Sequence, residues 1–121
     1  MKKILIIEDD TFLQGLEVNK LTKNNFEVVT ASTGEDGMEK IKDPTISLVL
    51  LDLVLPNFDG FQILEKIRET KNVQQLPVIV FSNLSEDAEI EKGRKLGVNE
   101  FMVKSNFSLD ELIEKINTIL K

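Results

Sequence analysis

Apolar residues fall along this chain in two alternating patterns: short unbroken runs, and longer stretches in which they recur every third or fourth position. The runs predict five strands, over Lys3 to Glu8, Phe26 to Thr30, Ser47 to Leu51, Val78 to Phe81 and Glu100 to Val103, each rich in Ile, Val, Leu or Phe. The central ones are apolar throughout, as strands covered on both faces are. Between them lie helices. The last is the clearest: Leu109, Leu112, Ile113, Ile116, Ile119 and Leu120 follow Ser108 at helical spacing, and Glu111 completes a capping box. Phe61, Leu64 and Ile67 mark a helix after Gly60, and Met38 with Ile41 mark a short one opened by Ser32 or Thr33. The first helix, from about Thr11 to Asn24, is less regular, and Asn25 is expected to end it in a left-handed conformation. From Ser85 to Leu96 the acids Glu86, Asp87, Glu89 and Glu91 precede Lys92, Arg94 and Lys95, an order that suits the helix macrodipole. Its apolar stripe is thin, with Ala88, Ile90 and Leu96, so this helix is expected to be weakly anchored and mobile.

Strict alternation of strand and helix implies an α/β fold, a doubly wound parallel sheet whose ligands bind beyond the carboxyl ends of the strands. At 121 residues, with no repeat, linker or low-complexity stretch, the chain reads as one domain, 1–121, without an output domain. A hydrophobic share of 41% and a charged share of 30% suit a folded globular protein.

The strand ends therefore carry the argument. In order they present Glu8 and Asp9, then Asp52, Ser82 and Lys104. In the 2-1-3-4-5 order, one of the two common for doubly wound sheets, the first and third strands are neighbours, which would bring Glu8, Asp9 and Asp52 together. Three crowded carboxylates call for a cation, and hard oxygens in a shallow site suit Mg2+. Asp52 could then attack phosphorus to form an acyl phosphate, with Lys104 and Ser82 engaging the phosphoryl oxygens. Taken singly, most of these residues have plainer readings. Asp10 reads as a helix cap, Asp59 before Gly60 as a turn residue, Lys104 as a solvated lysine, and Phe101 as a core aromatic.

Charge and composition narrow the function further. Twenty-one acidic against fifteen basic residues leave a net charge of −6, which argues against direct nucleic-acid binding. There is no histidine, so a phosphohistidine donor must lie on another chain. The absence of cysteine excludes disulfides and thiolate metal sites and fits the cytoplasm. Acidic Glu8, Asp9 and Asp10 cut the first apolar run too short for a leader, and no stretch is long enough for membrane insertion.

From Lys2 to Leu120 the chain resembles the receiver domains of two-component response regulators, through ILIIEDD, LLDLVLPNFDGF, PVIVFSN and GVNEFMVKS. The resemblance implies a flavodoxin-like sheet in the order 2-1-3-4-5. It makes Asp52 the phosphoacceptor, with Mg2+ held by Glu8, Asp9, Asp52 and the backbone carbonyl of Val54. Ser82, Lys104 and Phe101 become the phosphoryl-contacting and switch residues. The implied function is a phosphorylation-activated switch. A sensor histidine kinase or phosphotransfer protein would be the donor, and the fourth helix, fifth strand and last helix would form the surface presented to a downstream effector or to a second copy in a phosphorylation-dependent homodimer. Such a domain is a signalling module with self-catalysed phosphotransfer and slow autodephosphorylation. Val54, Asn83 and Leu84 flank the approach to Asp52 and would set the lifetime of the phosphoryl group.

The sequence also departs from the family. Ser105 replaces the usual proline after the lysine, leaving open whether the Lys104–Ser105 bond is cis; Asn83 replaces a small residue; Phe101 lacks a tyrosine hydroxyl. The competing reading is a receiver-like module that binds partners without phosphorylation, against which the complete acidic and lysine positions speak. An aspartate-nucleophile phosphatase would want an acid where Val54 stands, and a flavin domain would want a glycine- and hydroxyl-rich loop where Glu8, Asp9 and Asp10 stand.

Overall fold

A computed structural model describes residues 1–70 and 75–121. Five parallel strands form the sheet: β1 (Lys3–Ile7), β2 (Glu27–Ala31), β3 (Leu48–Leu51), β6 (Val78–Ser82) and β7 (Glu100–Val103), in the order β2-β1-β3-β6-β7. These are the five expected strands in the expected order, with ends shifted by a residue or so. The intervening numbers belong to a two-residue hairpin, β4 (Val54–Leu55) and β5 (Phe58–Asp59), that sequence periodicity is too short to reveal. Its turn is made by Asn57, whose φ of 55° lies in the left-handed region.

Successive strand residues point to opposite faces, and the sheet accordingly has two cores. Leu5, Ile7, Val49, Leu51, Val78 and Val80 face one way, against Ile41 and against Ile63, Leu64 and Ile67 of α3 (Phe61–Glu69). Ile4, Ile6, Leu48, Leu50, Ile79, Phe81 and Met102 face the other. There they meet Leu21 of α1 (Thr11–Lys23) and Leu112, Ile113 and Ile116 of α5 (Leu109–Ile119). At roughly 1.5–3 kcal/mol for each large aliphatic side chain withdrawn from water, these two layers dominate the folding energetics.

Helix boundaries follow local chemistry. Asp10 caps α1 by accepting from the N–H groups of Phe12 and Leu13, and Asn25, at φ 68°, lies just beyond its end as expected. Thr33, not Ser32, caps α2 (Gly34–Lys40). The capping box of Ser108 and Glu111 is present on α5, and Asp59 accepts from the Phe61 N–H at the start of α3.

Helix α4 (Asp87–Lys95) buries little; of the expected stripe Leu96 is half-buried against the core and Ile90 is half-buried. Ala88 is exposed, and Gly93 is the buried position. Without a Cβ, Gly93 lets the helix approach the ring of Phe101, to which an added methyl carbon would come within 2.9 Å. Lys92 lies over the ring of Phe61 at 4.3 Å. Arg68 of α3 donates to the carbonyls of Leu76, Leu96 and Gly97, tying down the carboxyl end of α4 and the turn at Gly97, whose φ is +79°. Cationic Arg68 there also suits the negative end of the helix dipole.

Among the described residues no peptide bond is cis, so Lys104–Ser105 is trans. A serine gains none of the relief that proline gives a cis bond, which costs other residues about 3 kcal/mol. Lys104–Asn106 instead form a 3-10 turn.

Candidate functional site

Sheet register assembles the site. Ile7 pairs with Leu51, so the next residues, Glu8 and Asp52, emerge side by side from neighbouring strands. The Asp52 N–H donates to the carbonyl of Ile7 at 3.0 Å, extending the ladder one step past the strand ends. On the other side Ser82 pairs with Val103, which places Lys104 just beyond it. Strand pairing thus delivers four chemically active side chains to one end of the sheet.

Asp52 is 5% exposed and both of its oxygens are engaged. Oδ1 accepts from the Ser82 hydroxyl at 2.7 Å and from the Val54 N–H at 2.9 Å. Oδ2 accepts from Lys104 Nζ at 2.7 Å. The same ammonium meets Glu8 Oε1 at 2.7 Å, while Glu8 Oε2 accepts from the Asp10 N–H at 3.1 Å. Lys104 is therefore the cation that bridges two buried carboxylates. Gln14 donates to the Glu8 carbonyl at 2.9 Å and fixes the bend where the chain leaves β1.

Burial pushes the Glu8 carboxyl up to about 6, and the Asp52 charge adds to this, against the hydrogen bonds from Lys104 and Asp10. Burial acts on Lys104 too, disfavouring its charge, but its hydrogen bonds to Asp52 and Glu8 outweigh that and hold the ammonium above its ordinary value. Both shifts have one source: a site that keeps water out while concentrating negative charge.

Oxygens of Glu8, Asp9 and Asp52 lie within 4.8 Å of one another. That spacing, and an all-carboxylate donor set, fit a hard divalent cation that retains several waters. The ammonium of Lys104 already occupies a cation's place between two of the three, which is evidence that the cluster is built to hold positive charge.

The structure thus brings together Glu8, Asp9, Asp52, Ser82 and Lys104. Val54 stands beside them, half exposed, with its N–H on Asp52. Leu84 is half-buried and its N–H reaches Ser82 Oγ at 3.4 Å; Asn83 is exposed. Phe101 is half-buried on β7 against Gly93 rather than in contact with Asp52. Two residues with a part in the structure were not singled out by the sequence: Arg68, whose carbonyl partners precede β6 and β7 at the opposite end of the sheet, and Glu17 on α1. Arg68 carries no periodic signal, because its partners are backbone carbonyls. Glu17 is buried, and the i, i+4 series Leu13, Glu17, Leu21 is the pattern that marks it.

Comparison with known proteins agrees with this geometry. The family model described as response regulator receiver domain matches residues 4–117. Response regulator ArlR of Staphylococcus aureus is 34% identical over 121 residues, which are 100% of this chain and 53% of that protein. Transcriptional regulatory protein AfsQ1 of Streptomyces coelicolor is 34% identical over 104 residues, 86% of this chain and 45% of that one. The chain therefore spans about half the length of the curated relatives it matches. Among solved structures, the non-phosphorylated HemR receiver domain from Leptospira biflexa superposes with a TM-score of 0.92 at 27% identity, covering 100% of this chain and 95% of that one. A CheY-like receiver domain from Methanospirillum hungatei gives 0.91 at 27% identity, covering 99% and 94%. With the acidic cluster, hydroxyl and lysine standing at the strand ends of a flavodoxin-like sheet, this chain belongs to the response regulator receiver domains of two-component signalling.

Proposed function

We propose that Asp52 is the phosphoacceptor of this receiver domain and that the donor is a phosphohistidine on a separate histidine kinase or phosphotransfer protein. One observation carries the reading: the buried carboxylate of Asp52 accepts from both a hydroxyl and an ammonium, at 2.7 Å each, and is flanked by two further carboxylates. An Asp52 oxygen would attack phosphorus as the phosphorus–nitrogen bond of the donor breaks, leaving an acyl phosphate and a free imidazole. Glu8, Asp9, Asp52 and the Val54 carbonyl would hold Mg2+, which when bound supplies charge neutralisation at the phosphoryl oxygens. Lys104 exchanges a carboxylate partner for a phosphoryl oxygen, and Ser82 turns its hydroxyl from Asp52 Oδ1 to another.

Those two exchanges are the switch. Ser82 ends β6 and Phe101 lies on the adjacent β7, packed against α4, so movement of Ser82 toward the phosphoryl group opens room for the ring to turn inward. The surface of α4, β7 and α5 then changes and is read by a downstream effector or a second phosphorylated copy. The setting is the cytoplasm; no helix among the described residues is long and apolar enough to cross a membrane. The test is intact-mass measurement after incubation with acetyl phosphate and Mg2+. One acid-labile phosphoryl group is expected on the parent and none on Asp52→Asn. An adduct that persists on the variant, or none on the parent, overturns the assignment.

A further inference from the structure

Helix α1 buries just two side chains, Glu17 and Leu21. Glu17 is 2% exposed, and its Oε1 is the one buried side-chain oxygen among the described residues with no hydrogen-bond partner. It lines the seam between α1 and α5 beside Leu21, Leu109, Leu112 and Ile113. An ionised carboxylate in that seam has neither water nor a donor for this oxygen, whereas the neutral acid carries no charge to solvate. We propose that Glu17 is a proton-binding site of the α1–α5 seam, a latch that closes α5 onto α1 when protonated and loosens it when the proton leaves.

Charges facing it come from every neighbouring element. Lys20, one turn along α1, is drawn off to Asp110 of α5 at 2.5 Å and does not bond Glu17. Asp10 stands at the start of α1, Glu8 and Asp52 at the ends of β1 and β3, and Lys104 after β7. Burial is the leading cause that pushes the Glu17 carboxyl from 4.5 up to about 8; Glu8 adds to it, Lys104 opposes it, and Asp52 and Asp10 add a little more. The linkage has a definite sign. An acid raised in the docked state binds its proton more tightly there than in the released state. Docking is therefore favoured most at pH below 4.5, weakens as pH rises toward about 8, and changes no further above that. Neutral pH lies on the slope, so the strength of the seam follows the proton concentration.

The latch does not depend on phosphoryl chemistry and is testable on the unmodified protein without metal. Hydrogen exchange of the Leu112, Ile113 and Ile116 amides, expressed as protection factors from pH 6 to 9, reads the seam directly. Protection in the parent is expected to fall by up to about tenfold per pH unit to about pH 8 and then level off. Glu17→Gln and Glu17→Leu should both lack that slope, apart from the share due to Glu8, which parent and variants have in common. Carbon-13 shifts of the Glu17 carboxyl should titrate well above the ordinary glutamate range. A carboxyl that titrates near 4.5, or equal slopes in parent and Glu17→Leu, overturns the proposal. Should a variant fail to fold, the carboxyl titration of the parent decides alone.

Discussion

Lys104 and Asp52 meet at 2.7 Å, and the same ammonium holds Glu8 at 2.7 Å. The lysine side chain is 14% exposed and the two carboxylates 6% and 3%, so this bridge is shielded from the screening that weakens surface ion pairs. One cation thus keeps two buried anions compatible with the fold.

Replacing Lys104 by Ala should leave those anions facing each other, at a cost of about 3–5 kcal/mol typical of breaking a buried pair. Because Mg2+ would occupy the same charge deficit, the loss should be largely reversed by millimolar Mg2+, far more than in the parent. Urea unfolding with and without chelator measures it. The variant should still accept some phosphoryl group, yet show little of the parent's chemical-shift change around Phe101. A variant as stable as the parent in chelator would mean that the bridge contributes nothing.

The Glu8 carboxyl, raised to about 6, makes cation binding and stability respond to pH in opposite directions. In the metal-free protein an acid with a raised folded value stabilises most when protonated. The contribution is greatest below 4.5 and is lost as pH rises through about 6. Mg2+ needs the ionised form, so its affinity should drop up to about tenfold per unit below pH 6. Glu8→Gln should flatten both trends, and Glu8→Gln with Asp9→Asn should lower Mg2+ affinity at all pH values. Titration calorimetry at pH 5, 6 and 7 distinguishes these cases. Unchanged affinity in the double variant would place the metal elsewhere.

Sheet and site were legible to different depths for physical reasons. β1, β3 and β6 are buried on both faces, so their apolar runs are unbroken and mark strands without ambiguity. The grouping of Glu8 with Asp52 followed from the adjacency of β1 and β3, an order implied by the family resemblance, and the register carries both one step past paired residues. The hairpin Val54–Asp59 has two residues per strand and no periodicity to read. Ala88 looked like an anchor of α4 because an apolar residue on a charged helix attracts notice. Gly93 has no side chain to notice, yet it is the position that lets Phe101 in. Glu17 was passed over as one more acid, and its place between Leu13 and Leu21 matters only once α5 is seen to cover it.

Gly60 links the loop after Asp52 to α3 through close backbone approach rather than unusual torsions, since its φ of −60° suits any residue. A Cβ there would lie 2.5 Å from Leu53 Cα and 2.6 Å from its carbonyl oxygen, and backbone atoms cannot swing aside as a side chain can. Gly60→Ala should therefore destabilise by about 1–3 kcal/mol, despite the better helix propensity of alanine. Urea unfolding midpoints check this. A change below about 0.5 kcal/mol, the usual range for surface substitutions, would show that the loop yields freely.

The lifetime of the phosphoryl group should be set by what flanks the line of attack on Asp52. Hydrolysis needs a water aligned opposite the Asp52 oxygen, and that water must be held by some polar group. Val54, 51% exposed beside Asp52, and Leu84, half-buried two residues after Ser82, offer only hydrocarbon. Asn83, exposed next to Ser82, flanks the same approach, so the two apolar side chains are the ones to replace. Slow self-dephosphorylation is therefore expected, and Val54→Asn with Leu84→Glu should speed it about tenfold, a barrier change of roughly 1.4 kcal/mol. Phosphate release from the purified phosphoprotein in excess Mg2+ gives the rate. A parent that loses its phosphoryl group within seconds, or a polar double variant that is no faster, would show that apolar shielding does not control the lifetime.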